Sequence, residues 1–204
     1  MFSVEFLITS LIVVLVPGSG VIYTVSTALL QGRRAGVLAS LGGTIGIVPH
    51  LLATIFGLAA VMHTSALAFE ALRYAGVAYL FYLAWATWRD KAAFAVDQAA
   101  AQRTGRQIVA KGILLNILNP KLTIFFLAFL PQFVDPAARS PLAQLVALSA
   151  VFMLMTFVVF VVYAALAHAF RRAVIESATV QGWLRRSFAA AFAGLGAQLA
   201  LQDR

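Results

Sequence analysis

Apolar residues run along this chain in long blocks, separated by short polar stretches that carry almost all of the charge. Crossing about 30 Å of hydrocarbon takes about 20 residues of α-helix. Six blocks reach that scale, over 3–30, 36–62, 66–88, 109–131, 142–168 and 187–202, and predict six transmembrane helices. The sixth is the shortest. Two blocks are interrupted deep inside, the first at Pro17-Gly18 and the fourth at Asn119-Pro120. The first 20 residues carry Glu5 instead of a basic leading segment, and end in Pro-Gly and Ser-Gly instead of a small-x-small cleavage site. They therefore predict a retained helix and not a signal peptide.

Composition sets the solvent. Hydrophobic residues make up 62% of the chain and charged residues 11%, and the mean hydropathy is +0.93. A soluble domain carries roughly 45–50% apolar and about 25% charged residues, because its surface must face water. This chain cannot cover a globule with polar side chains, which excludes a soluble enzyme. The fold class expected is all-α and polytopic, in lipid. Cysteine is absent, which removes disulfides, thiolate catalysis and soft-metal thiolate sites. Three scattered histidines with no carboxylate at ligand spacing argue against a metal centre. No cofactor or catalytic group is expected.

The net charge of +8 would suggest nucleic acid in a soluble protein. Here the basic residues sit in the connections, so they set orientation and no nucleic-acid partner is expected. Arg33 and Arg34 follow the first block; Arg89, Lys91, Arg103, Arg106 and Lys111 follow the third; Arg171, Arg172, Arg185 and Arg186 follow the fifth. The opposite side has Arg73, Arg139 and Arg204, with Lys121 left inside a block. Basic loops stay in the cytoplasm, which places both termini outside. Tyr82, Trp85 and Trp88 close the third block, and Trp183 precedes the sixth, as interfacial aromatic belts.

The stretch rich in Ala, Gln and charge between Arg89 and Arg106 divides the chain into a three-helix repeat at 1–88, a cytoplasmic linker at 89–108 and a second repeat at 109–204. Three spans per half force the second half to run inverted. Pro17 and Pro120 lie 103 residues apart, about half the chain, each in the opening helix of its half. Matching breaks in inverted halves are the sequence pointer to a transport site.

A proline inside a helix removes one backbone donor, and in lipid the freed groups need a partner. The half-helix that begins near Ser19 would turn its amides toward mid-membrane, which favours a carboxylate. The carbonyls near Val16 and Leu118, with the Asn119 side chain, would suit an ammonium. Lysine at such depth costs about 2.5–3.5 kcal/mol, so Lys121 is expected to meet a substrate carboxylate or backbone carbonyls unless it snorkels to an interface. The candidate substrate-binding residues are Pro17, Gly18, Ser19, Gly20, Asn119, Pro120 and Lys121. In the second block Gly36, Ala39, Gly43 and Gly46 form a stripe of small residues for close helix approach. His50 lies on that face and is the proton-coupling candidate, because histidine changes charge near neutral pH. A structural hydrogen bond is its plainer role. His63 and His168 fall near span ends.

At these residues the chain resembles the lysine exporter (LysE/RhtB) family. The matching segments are Pro17-Gly18, Gly32-Arg33-Arg34-Ala35-Gly36, Ala75-Gly76-Val77-Ala78-Tyr79-Leu80, Asn119-Pro120-Lys121, Phe125-Phe126 and Leu130-Pro131-Gln132-Phe133. The resemblance implies efflux of amino acids or related small metabolites across the bacterial inner membrane, driven by the proton gradient. The partners it implies are an amino-acid substrate and the bilayer, with homo-oligomerisation left open. Two departures stand out. The family often reads Pro-Gly-Pro followed by Asn or Asp, where this chain has Pro17-Gly18-Ser19-Gly20. Many members carry an acid early in the second span, where this chain has Gly46-Ile47-Val48. Both shift the expectation from cationic toward neutral amino acids. The other classes considered are a channel or structural membrane protein, and an intramembrane hydrolase with Ser19 as nucleophile and His50 or His168 as base. The hydrolase pattern wants Gly-x-Ser-Gly, and Pro17 stands at its first glycine.

Overall fold

The computed structural model describes residues 3–16, 18–62, 103–135, 140–167 and 177–201, with scattered positions between 74 and 89. Among these the secondary structure is entirely helical. Most of the third expected span and of the 89–108 linker, with His63 and His168, lie outside the described residues.

Helix α1 (Val4–Leu15) starts where the Ser3 hydroxyl accepts from the Phe6 N–H at 3.1 Å. It stops because the residue before a proline is pushed out of the helical region: Val16 is extended, with ψ 114°. Helix α2 (Ser19–Gln31) follows at a bend of 53°. Gly32 then turns the chain at φ +86°, a conformation open to glycine, and α3 (Arg33–Ile45) starts at once. A short turn at Gly46 and Ile47 leads into α4 (Val48–Met62). The expected second span was continuous over 36–62. The turn arises because Pro49 has no N–H for the carbonyl one turn back, and proline fits the first turn of a new helix.

A second bend lies in the later part of the chain. A capping box, in which Thr104 and Gln107 serve each other's backbone, opens α5 (Gly105–Ile117). Asn119 caps the short α6 (Pro120–Ile124), which continues through a π-helical turn (Phe125–Phe129) into a 3-10 turn (Leu130–Phe133). The two arms, Gly105–Ile117 and Lys121–Phe133, meet at 60°. Helices α7 (Pro141–Ala165) and α8 (Ala178–Leu201) complete the described chain, α8 starting well before the expected 187. Among the described residues, Arg33–Gly57 and Pro141–Ala165 are each long and apolar enough to cross a membrane; the count there rises to four if each bent pair is one span.

Helix α3 sits among α2, α5 and α7, and its small residues let it do so. Gly42, Gly43 and Gly46 meet the α5 backbone around Val109, Gly112 and Ile113, while Gly36 lies between Ala28 and Ala164. A second core is aromatic: the Phe125 and Phe152 rings stack at 4.4 Å, and Phe126 meets Phe152 edge-on at 5.4 Å. Outward, α7 exposes Leu154, Val158 and Val162, and α1 exposes Val4, Ile8 and Leu11, the apolar surface that lipid demands.

A methyl group at Gly46 would sit 2.7 Å from the Ile113 carbonyl oxygen and 2.8 Å from Asn116 Cβ, whereas one at Gly57 would meet nothing within 4 Å. Gly46→Ala is therefore expected to destabilise the protein by about 1–3 kcal/mol, the usual cost of overpacking. Gly57→Ala should be neutral or slightly stabilising, since alanine favours a helix interior. Thermal unfolding of both variants in detergent checks the pair.

Candidate functional site: two proline breaks capped across the halves

In an uninterrupted helix the Val13 carbonyl would accept from the N–H of residue 17. That residue is Pro17, which has none to give. The ammonium of Lys121, from α6, supplies the donor: its Nζ donates to the Val13 carbonyl at 2.9 Å and to the Val16 carbonyl at 3.0 Å. The Tyr163 hydroxyl, from α7, donates to the Leu15 carbonyl between them at 2.9 Å. Three of the four carbonyls in the last turn of α1 are thus met by two side chains from the other half of the sequence.

The second break follows the same rule. Asn116 stands four residues before Pro120, so its carbonyl loses the same donor. His50 Nε2, from α4, lies 2.8 Å from that oxygen. A carbonyl only accepts, so Nε2 carries the hydrogen. The Asn119 N–H adds a bond to the same carbonyl at 3.1 Å. The other ring nitrogen, Nδ1, is 3.4 Å from Thr123 Oγ1, itself 3.4 Å from the Asn119 carbonyl. With Nε2 committed to the Asn116 carbonyl, Nδ1 is the ring nitrogen that faces Thr123.

Between the breaks, Gly18 and Gly20 open the start of α2. Gly18 is its N-cap and offers no side-chain bond, so the first amides of α2 are uncapped by any side chain. A methyl at Gly18 would lie 3.7 Å from Lys121 Nζ, and one at Gly20 would lie 2.8 Å from Asn116 Oδ1. The Asn116 side chain is 2% exposed. Its Nδ2 donates to the Gly43 carbonyl at 2.6 Å, which fixes the amide orientation, and Oδ1 is left without a partner.

Of the residues singled out in the sequence, Gly18, Gly20 and Lys121 come together, with His50 at the neighbouring break. Pro17 lies outside the described residues, and Pro120 serves as the first residue of α6. Ser19 is exposed and shares no hydrogen bond with His50, whose ring nitrogens face Asn116 and Thr123. Two expected roles change. The Val16 carbonyl is held by Lys121, and Asn119 Oδ1 accepts from the Lys121 N–H at 3.1 Å as the cap of α6. Each oxygen thus already accepts one hydrogen bond from within the protein. Asn116, Thr123 and Tyr163 were missed. Asn116 carried the readable signal, an amide side chain inside Gly-Ile-Leu-Leu-Asn-Ile-Leu, four residues before a proline.

Tyr163→Phe removes one hydroxyl and leaves the Leu15 carbonyl orphaned in an apolar setting. The expected loss is about 1–3 kcal/mol, the cost of an unsatisfied buried polar group. It should show as a lower melting temperature in detergent, with the protein still reaching the membrane.

Comparisons with known proteins place the chain in a family. A family model described as "LysE type translocator" matches residues 11–203. An uncharacterized membrane protein of Vibrio cholerae is 32% identical over 96% of this chain and 94% of its own length. A homoserine/homoserine lactone efflux protein of Salmonella typhimurium is 33% identical over the same shares. A leucine efflux protein of Klebsiella pneumoniae is 29% identical over 67% of this chain and 65% of its own. No solved structure matches. A translocator moves its solute without making or breaking a bond in it, so the hydrolase reading of Ser19 is set aside. The chain belongs to the LysE type translocator family and is a membrane transporter, not an enzyme.

Proposed function

We propose that this protein exports neutral amino acids or closely related metabolites from the cytoplasm across the bacterial inner membrane, by proton antiport. It does so as two inverted three-helix repeats, 1–88 and 109–204 joined by the 89–108 linker, with both termini outside. The observation that carries the reading is the reciprocal capping of the breaks. Lys121 and Tyr163 from the second half serve α1, and His50 from the first half serves α5. The Salmonella and Klebsiella relatives, named for efflux of homoserine and of leucine, support a neutral amino acid as the solute.

A zwitterion needs one end that reads an anion and one that reads a cation. An ammonium has three donors, and Lys121 spends two on the Val13 and Val16 carbonyls. The third, with the uncapped amides at Ser19 and Gly20, holds the carboxylate at the positive end of α2. The unpartnered acceptor against Gly20 is the buried Asn116 Oδ1, which takes the ammonium as the breaks rearrange, in place of the carbonyls that Lys121 already serves. His50 couples the cycle: Nε2 keeps its cap on the Asn116 carbonyl while Nδ1, beside Thr123, takes a proton from water on one side and releases it to water on the other as the breaks rearrange.

Lys121→Met keeps the stem and removes the charge. A hydrogen bond to a charged group is worth about 1.5–3 kcal/mol, so export should fall roughly 10- to 100-fold. The measurement is efflux of homoserine and leucine from preloaded cells, with membrane abundance checked alongside. Normal export by this variant would remove Lys121 from the site.

His50→Ala should leave export measurable but insensitive to an imposed pH gradient. Proteoliposomes with and without the gradient read this directly. A variant that is only less stable, and keeps the gradient dependence of the unmodified protein, returns His50 to a purely structural role.

A further inference from the structure

Five of the buried hydroxyls among the described residues share one pattern. Ser40, Thr44, Thr54, Ser149 and Thr156 each donate to the carbonyl four residues earlier, at 2.8–2.9 Å. This is how a helix normally silences a buried serine or threonine. Thr24 and Thr27 behave otherwise. Both are 0% exposed, both have a helical carbonyl one turn back within α2, and neither hydroxyl has a partner. A buried polar atom without a partner carries its whole desolvation cost, so native structures keep few of them.

These two share a face with a third such atom. Gly20, Thr24 and Thr27 stand at i, i+4 and i+7, a spacing that brings them to one side of a helix. Gly20 is the residue that faces Asn116 Oδ1, which is unpartnered too; the fourth such atom among the described residues, the Ser10 hydroxyl, lies on α1. The file therefore runs from the break along α2 for about 10 Å, at 1.5 Å per residue. Its far end lies toward Gly32 and the exposed Arg33 and Arg34. The adjoining face of α2 is apolar: Val21, Val25 and Ala28 pack into a cluster with Phe160 and Ala164.

We infer that this face of α2 is the cytoplasmic leg of the translocation path, a file of hydrogen-bonding positions that passes an amino acid from the Gly32 end to the break. The inference rests on the exporter reading above. Hydroxyls suit the task, because each can donate to a carboxylate and accept from an ammonium. A fixed charge would trap one end of the zwitterion, whereas conduction needs several weak sites in series. Asn116 Oδ1, an acceptor only, ends the file and turns the ammonium toward itself as the carboxylate reaches the amides of α2.

The absence of cysteine makes the test direct. Thr24→Cys, Thr27→Cys and Val25→Cys each place a single thiol in the full chain. Inside-out vesicles, which present the cytoplasmic face, are treated with a charged, membrane-impermeant methanethiosulfonate. Only the thiolate reacts, and apolar burial suppresses it, so positions 24 and 27 should label at least about tenfold faster than position 25. Homoserine or leucine should slow labelling at 24 and 27 alone. Equally slow labelling at all three positions, in vesicles where the unmodified chain transports homoserine or leucine, overturns the path and leaves the exporter standing. Fast labelling at 24 and 27 where the unmodified chain moves neither solute overturns both. If a cysteine variant does not reach the membrane, Thr24→Val against Thr24→Ser decides: valine should slow export several-fold and serine restore it, and equal export by the two sinks the inference.

Discussion

A carbonyl four residues before a proline has no helical donor, and in an apolar setting something else must supply one. Two such carbonyls, on Val13 and Asn116, organise much of this protein. Lys121 answers the first and His50 the second. Neither donor is local: each comes from the other half of the chain. A proline that would merely kink a soluble helix has here become a reason for the two halves to pack together.

That constraint also accounts for charge where charge is costly. Lys121 spends two donors on helix-end carbonyls, with the Tyr163 hydroxyl beside it. A lysine fixed by two carbonyls is held in one orientation, next to Gly18 at the start of α2.

Close helix approach makes the reciprocal capping reachable. With glycine at positions 42, 43, 46 and 112, the backbones of α3 and α5 meet at contact distance. This brings Asn116 against Gly43 and carries α4, with His50, to the end of α5. Apolar packing alone gives helices in lipid little reason to associate, so small residues and interhelical hydrogen bonds take over that role. Asn116 combines both, since its Nδ2 binds α3 while its carbonyl is capped from α4.

The amino-acid sequence by itself determined the solvent, the helical class and the positions of both breaks. Each follows from local chemistry: apolar fraction, run length, and proline's missing donor. It also pointed to Gly18, Gly20, Lys121 and His50, because an ionisable or glycine-rich interruption of an apolar run is conspicuous wherever the chain goes. Which donor serves which carbonyl was decided only in three dimensions. The sequence reading left the Val16 carbonyl and the Asn119 side chain open for a ligand; in the structure one is held by Lys121 and the other caps α6. Asn116, Thr123 and Tyr163 were illegible as a group, because their partners lie on helices remote in sequence. A hydrogen bond between elements depends on distance and direction, and neither is encoded in the spacing along one strand of chain.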